Sequence, residues 1–243
     1  MKLTGKKLLI FGGTILGVLT LTPLFAAFEA HVINVTAQIE NALFVHPESL
    51  EYGTVFPQEH LDSSFFISFS QSFSALTQRR LGTVEYVIKQ KPKPRIDSPE
   101  NRQFCHDNKP LDASDPNDPY YATCYSLLCP YLSKHPDNNP STGANANNDT
   151  SVPPFHDPFD PNYWAKGKMV KFNSSGSTIG NDPADIWTVD LAVPCFTGQC
   201  AQDWEKFVKS LNPLADPAEY SLPPKLEHEV FGCDLWVEVT KIY

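Results

Sequence analysis

Residues 65–73 read Phe-Phe-Ile-Ser-Phe-Ser-Gln-Ser-Phe, with Phe65, Ile67, Phe69 and Phe73 set against Ser68, Ser70 and Ser72. Successive side chains of a strand point to opposite faces, so this spacing predicts a strand with one apolar face buried and a serine face in solvent. An antiparallel sheet accommodates that division. The same period appears upstream in residues 31–43, where Ile33, Val35, Ala37, Ile39 and Leu43 alternate with Asn34, Thr36, Gln38 and Glu40. Residues 84–90 form a further predicted strand, stopped at Lys91-Pro92-Lys93-Pro94 because proline has no amide to donate to a ladder. Trp187, Val189, Leu191 and Val193 repeat the alternation late in the chain, and Leu235, Val237 and Val239 repeat it at the end. Short apolar stretches at 50–56 and 169–172 are additional strand candidates.

Two segments carry the helical period instead. Residues 120–132 place apolar side chains at 124, 127, 128, 131 and 132, with Pro130 as a kink or stop. Residues 201–211 place Trp204, Phe207, Val208 and Leu211 at i, i+3, i+4 and i+7. Residues 134–162 are rich in Pro, Asn and Asp with almost no apolar period, which predicts a flexible surface loop. Strands at both ends with helices between them predict one mainly β domain, residues 28–243. It is an antiparallel β-sandwich carrying a short helical, disulfide-bearing insertion.

The chain has 243 residues, 41% hydrophobic and 19% charged, with 22 Pro against 12 Gly, a balance that fits an ordered domain with proline-rich loops. Nineteen Lys and Arg against 28 Asp and Glu give a net charge of −9, which repels phosphate backbones and anionic lipid, so nucleic acid and membrane surfaces are not expected partners. Residues 1–27 read as an export signal: Lys2, Lys6 and Lys7, an apolar run from Leu8 to Leu21, then Ala26 and Ala27. Retention as an anchor is the competing reading, since residues 8–25 carry no charge. Gly12, Gly13, Gly17 and Pro23 weaken a permanent span. Cleavage after Ala27 would leave 16 basic residues against 28 acidic ones, a net charge of −12.

All six cysteines, Cys105, Cys124, Cys129, Cys195, Cys200 and Cys233, lie beyond that signal, which predicts three disulfides formed outside the cytoplasm. Six cysteines allow 15 pairings. On a helix Cys124 and Cys129 project to different sides and need separate partners, Cys105 being the expected partner of one of them. Zinc is the rival use of these thiols, without a tight C-x-x-C pair to favour it.

No catalytic motif stands out. His228-Glu229 lacks the second imidazole of a zincin, and no nucleophile elbow, P-loop or dinucleotide fingerprint occurs. The seven His are scattered, and no cofactor is expected. Asp112, Asp115 and Asp118 are calcium candidates by residue type, as are Asp157 and Asp160, although such sequences also make ordinary turns. Glycosylation sequons stand at Asn34, Asn148 and Asn173.

The order of Lys-rich start, glycine-bearing apolar run, Ala26-Ala27-Phe28-Glu29 junction and alternating stretch through Phe44-Val45 resembles the TasA and camelysin group of exported proteins. Tyr52-Gly53-Thr54-Val55-Phe56-Pro57-Gln58-Glu59, leading into Phe65–Phe69 and on to residues 84–88, continues the likeness. It is best over residues 1–94 and looser over 233–242. The resemblance implies a jelly-roll-like sandwich that forms surface or matrix fibres, with the segment after the processing site donated as a strand. Here that segment maps onto Phe28, Ile33, Val35, Ala37 and Ile39. The six cysteines, the proline-rich stretch and the middle of the chain depart from that pattern. Some members have been classed as metallopeptidases, and no ligand motif here carries that over.

The expectation is therefore a secreted or cell-surface structural subunit that forms a head-to-tail homo-oligomer. A strand opening the exported chain can fill its own sheet or the open edge of a neighbour, and the second choice does not close. A monomeric module binding glycan or protein through loops between Tyr120 and Trp164 is the first alternative, and a secreted metallopeptidase the second.

Overall fold

The computed structural model describes residues 39–75, 82–136, 150–172, 179–182 and 184–243. Contacts divide the chain into Met1–Ile39 and Glu40–Tyr243. Of the first unit only Ile39 is described, so Phe28, Ile33, Val35 and Ala37 lie outside the described residues, as do the three sequon asparagines.

The second unit is a mainly β sandwich of two four-stranded sheets. One has the order β1 (Leu43–His46), β2 (His60–Phe69), β8 (Ala184–Ala192), β5 (His135–Pro136), and every pairing is antiparallel. The other has the order β10 (Asp234–Ile242), β3 (Thr83–Lys91), β6 (Ala165–Phe172), β7 (Ile179–Asp182), again antiparallel throughout. Phe65, Ile67 and Phe69 of β2 share the inner side of their sheet with Trp187, Val189 and Leu191 of β8 and join Val84, Tyr86 and Ile88 of β3 in one continuous core. The serine face of β2 turns outward, as the alternation predicts. Tyr86 and Trp187 tie the layers together: Trp187 Nε1 donates to Tyr86 Oη at 2.8 Å, and Tyr86 Oη donates to the buried Asp185 carboxylate. Tyr86 occupies the space above Gly167 on β6, where any Cβ would overlap its ring.

The strands expected at 84–90, 186–193 and 235–239 are present. Residues 169–172 close the longer β6. Other expectations need correction. The alternation of residues 65–73 ends at Phe69, because Ser70 caps the helix Gln71–Ser74 and accepts from Phe73 N at 3.3 Å. Residues 39–42 precede a strand rather than forming one. β1 begins at Leu43 because its partner strand ends at Phe69, opposite it. Residues 50–56 are not a strand: Gly53 turns at φ +70, and Tyr52 reaches across to donate to Val189 O at 2.7 Å.

Residues 120–132 are not one helix. A single turn, Tyr120–Thr123, is followed by the two-residue strand β4 (Ser126–Leu127), which pairs with β9 (Phe231–Gly232), and by a 3₁₀ turn at Cys129–Tyr131. Cys124 bonds Cys105 and Cys129 bonds Cys233, so the two cysteines are held in different directions and the backbone between them extends. The third bridge is Cys195–Cys200. Cys105 lies in a further helix, Pro99–Asp107, capped by Ser98 with proline in its first turn. The expected helix at 201–211 forms over Trp204–Leu211. Within the predicted surface loop, Lys134 pairs with Val152, and Val152, Phe155 and His156 pack into the core. Asn212, at the end of the helix Trp204–Leu211, holds this segment in place by donating to Pro154 O and Phe155 O.

Candidate functional site: a groove between two open sheet edges

β1 and β10 each end their sheet, and a groove of about 1130 Å³ runs between these two edges. Its floor consists of core residues: Val45 of β1, Phe65 of β2, Val189 and Leu191 of β8, Leu235 and Val237 of β10. The walls are residues 47–57 on one side and the segment from Leu222 to Cys233 on the other. That second wall is positioned by the Cys129–Cys233 bridge and by the β4–β9 pairing. Val239 continues the inward alternation of Leu235 and Val237, opposite the buried Tyr86, yet it is 41% exposed. Among the described residues nothing pairs along this edge to cover Val239.

β10 is nine residues long, about 30 Å at roughly 3.3 Å per residue, and among the described residues nothing pairs with its outer side. An edge of that length presents a row of amides and carbonyls to any extended chain. The groove can thus accept a peptide as an added strand, with alternate side chains directed at the floor. Its rim is acidic, with Glu48, Glu51, Glu227 and Glu229 set against Lys93 and Arg102.

The predicted site residues fall in several places. Of the donor-strand residues, Ile39 is 94% exposed and outside any strand, and the others lie outside the described residues. Asp112 accepts from the Ser114 amide and hydroxyl, Asp115 from the Asn117 amide, and Asp118 from the Asp112 and Tyr120 amides. Those bonds hold the Asp112 and Asp118 carboxyls below the usual range. Asp157 and Asp160 close similar turns. Among the described residues no group of three or more His, Cys, Asp or Glu is placed to hold a metal ion. Tyr120, Tyr121 and Tyr131 are buried, so they present no surface for a sugar, and Trp164 lies beneath Lys89 at 4.5 Å.

A second polar feature sits in the core. Lys134 is completely buried, with its Nζ donating to Leu132 O at 3.3 Å. Burial lowers this ammonium to about 7. His156, 1% exposed, shares a 2.6 Å hydrogen bond with Gln90 Nε2 and packs on Tyr163. Burial and the neighbouring Lys134 lower its imidazole to about 3, opposed by the Pro153 carbonyl. Among the described residues no partner stands in hydrogen-bonding geometry to the Gln90 Oε1, and the Pro153 carbonyl is the backbone group near the imidazole. Nothing in the local sequence marks these residues, because residues 134–156 lack the apolar period that signals burial.

Among the described residues no helix is long and apolar enough to cross a membrane, and the three disulfides fit an oxidising compartment. No family model and no curated protein matches the chain.

Proposed function

We propose that this chain is an exported structural subunit of surface or matrix filaments, joined when the segment 28–39 of one copy is added as a strand in the groove of the next. The apolar groove beside the β10 edge, which has no partner among the described residues, carries this reading. Ile33, Val35, Ala37 and Ile39 recur every second residue, so in an added strand all four point to one side. At about 1.5–3 kcal/mol for each large aliphatic side chain buried, such a strand contributes several kcal/mol besides its ladder hydrogen bonds. The donor contributes a strand and the acceptor a groove, so the contact is heterologous and propagates. The reading needs no catalytic step.

Deleting residues 28–35 from signal-free protein is expected to abolish filaments in negative-stain images and leave soluble monomer. A synthetic peptide of residues 28–39 should then bind the truncated protein. Filaments that persist after the deletion, or a truncated protein with no affinity for the peptide, would overturn the assignment.

A further inference from the structure

The outer face of the β10–β3–β6 sheet differs in charge from the rest of this acidic chain. Register places four rows across it. Lys241, Glu85 and Lys168 form the first row, and Glu238, Val87 and Lys166 the second. Trp236 and Lys89 form the third, with Trp164 beneath the Lys89 ammonium. Asp234 and Lys91 form the fourth, with the Lys91 ammonium 3.4 Å over the Trp236 ring. Five lysines therefore share a face with three carboxylates, Glu85, Glu238 and Asp234, on a chain whose net charge is −9.

Their pairing leaves cationic charge in excess. Glu238 serves both Lys89, at 2.5 Å, and Lys91, at 3.6 Å. Glu85 lies 3.8 Å from Lys168 and accepts from Tyr243 Oη at 2.7 Å. Lys166 is exposed, and Lys241 is exposed beside the Tyr243 ring at 4.3 Å. Trp236 and Tyr243 are 36% and 45% exposed, so partly open aromatic rings stand among the cations. Opposite charge attracts a polyanion, while aromatic rings pack against flat apolar surfaces.

We propose that this face binds an acidic polysaccharide, a polymer of carboxylated sugars, through its lysines and its open aromatic rings. A pyranose ring offers an apolar face for Trp236 or Tyr243 and a carboxylate for Lys166 or Lys241. Nucleic acid suits the face less well: a duplex carries a charge every ~1.7 Å, and the acidic bulk of this chain repels such a density. Trp236 borders the groove as well, whereas Lys166 and Lys241 do not, so K166E/K241E separates this assignment from strand donation.

The test is binding of the purified full chain to polygalacturonate by calorimetry or co-sedimentation, with dextran and poly(dT) in parallel. Polygalacturonate should bind, more weakly as salt rises, and dextran should not. K166E/K241E should weaken binding at least about tenfold while its thermal melting stays that of wild type, and W236A should weaken it without altering the salt dependence. Binding that is unchanged in K166E/K241E, absent in wild type at low salt, or stronger toward poly(dT) would overturn the proposal.

Discussion

Replacing Lys134 with Met should make the protein more stable, and the gain should depend on pH. Lys134 is completely buried with its Nζ donating to Leu132 O, and burial lowers its ammonium from 10.5 to about 7. That drop corresponds to roughly 5 kcal/mol at about 1.4 kcal/mol per pH unit. The unfolded chain keeps this proton up to its ordinary value, whereas the native chain releases it near 7. The unfolded state thus binds more protons between about pH 7 and 10.5, and the free energy of unfolding rises with pH across that window. Below it the native state bears the whole penalty. K134M removes the titrating group and fills nearly the same volume. Urea unfolding followed by tryptophan fluorescence, with the disulfides intact, should place K134M about 3–5 kcal/mol above wild type near pH 6, a range set by the burial cost less any loss of packing. Near pH 10 the two should converge to within about 1 kcal/mol. Parallel stability curves for the two proteins, or a K134M less stable near pH 6, would refute the reasoning.

The neighbouring His156, lowered from 6.5 to about 3, stays neutral in the native state, so stability should fall as the pH is lowered from 6.5 towards 3 and the unfolded chain takes up the proton. NMR should find one imidazole that does not titrate between about pH 5 and 8. Removing the disulfides pairwise should rank them by the loop each closes: about 5 kcal/mol for Cys129–Cys233 across 104 residues, about 3 for Cys105–Cys124 across 19 and about 2 for Cys195–Cys200 across 5, read from unfolding midpoints. Gly167→Ala should cost at least about 1–3 kcal/mol, because the new methyl displaces Tyr86 from its bonds with Asp185 and Trp187, and near-ultraviolet circular dichroism should report the loss.

The groove was legible in part. The alternation of Leu235, Val237 and Val239 identified an amphipathic strand, but whether that strand sits inside a sheet or at its edge depends on pairings with residues far away in the chain. Its partner β3 lies about 150 residues earlier, and only the strand order, with β10 last in its sheet, leaves the other side without a partner among the described residues. The buried Lys134 and His156 were illegible. Polar residues between prolines read as solvated loop, and they are internal only because Asn212 and the aromatic cluster around Phe155 draw that segment inward.

Local sequence by itself determined the strands at 84–90, 186–193 and 235–239, the strand through Phe65–Phe69 though not its end, and the helix that ends at Leu211, since alternation and helical period are properties of adjacent residues and the apolar side has one place to go. It also pointed to three bridges among six cysteines; Cys124 and Cys129 do take separate partners, although the helix on which that expectation rested does not form. The disulfide partners were decided only by tertiary structure, as was the breaking of residues 120–132 into a turn, a short strand and a 3₁₀ turn. Those outcomes depend on where Cys105 and Cys233 come to lie, and distances between remote segments are set by the packed core rather than by any local pattern. The cationic face follows the same logic. Lys89, Lys166 and Lys241 are unremarkable in the chain and become one surface when three strands align in register.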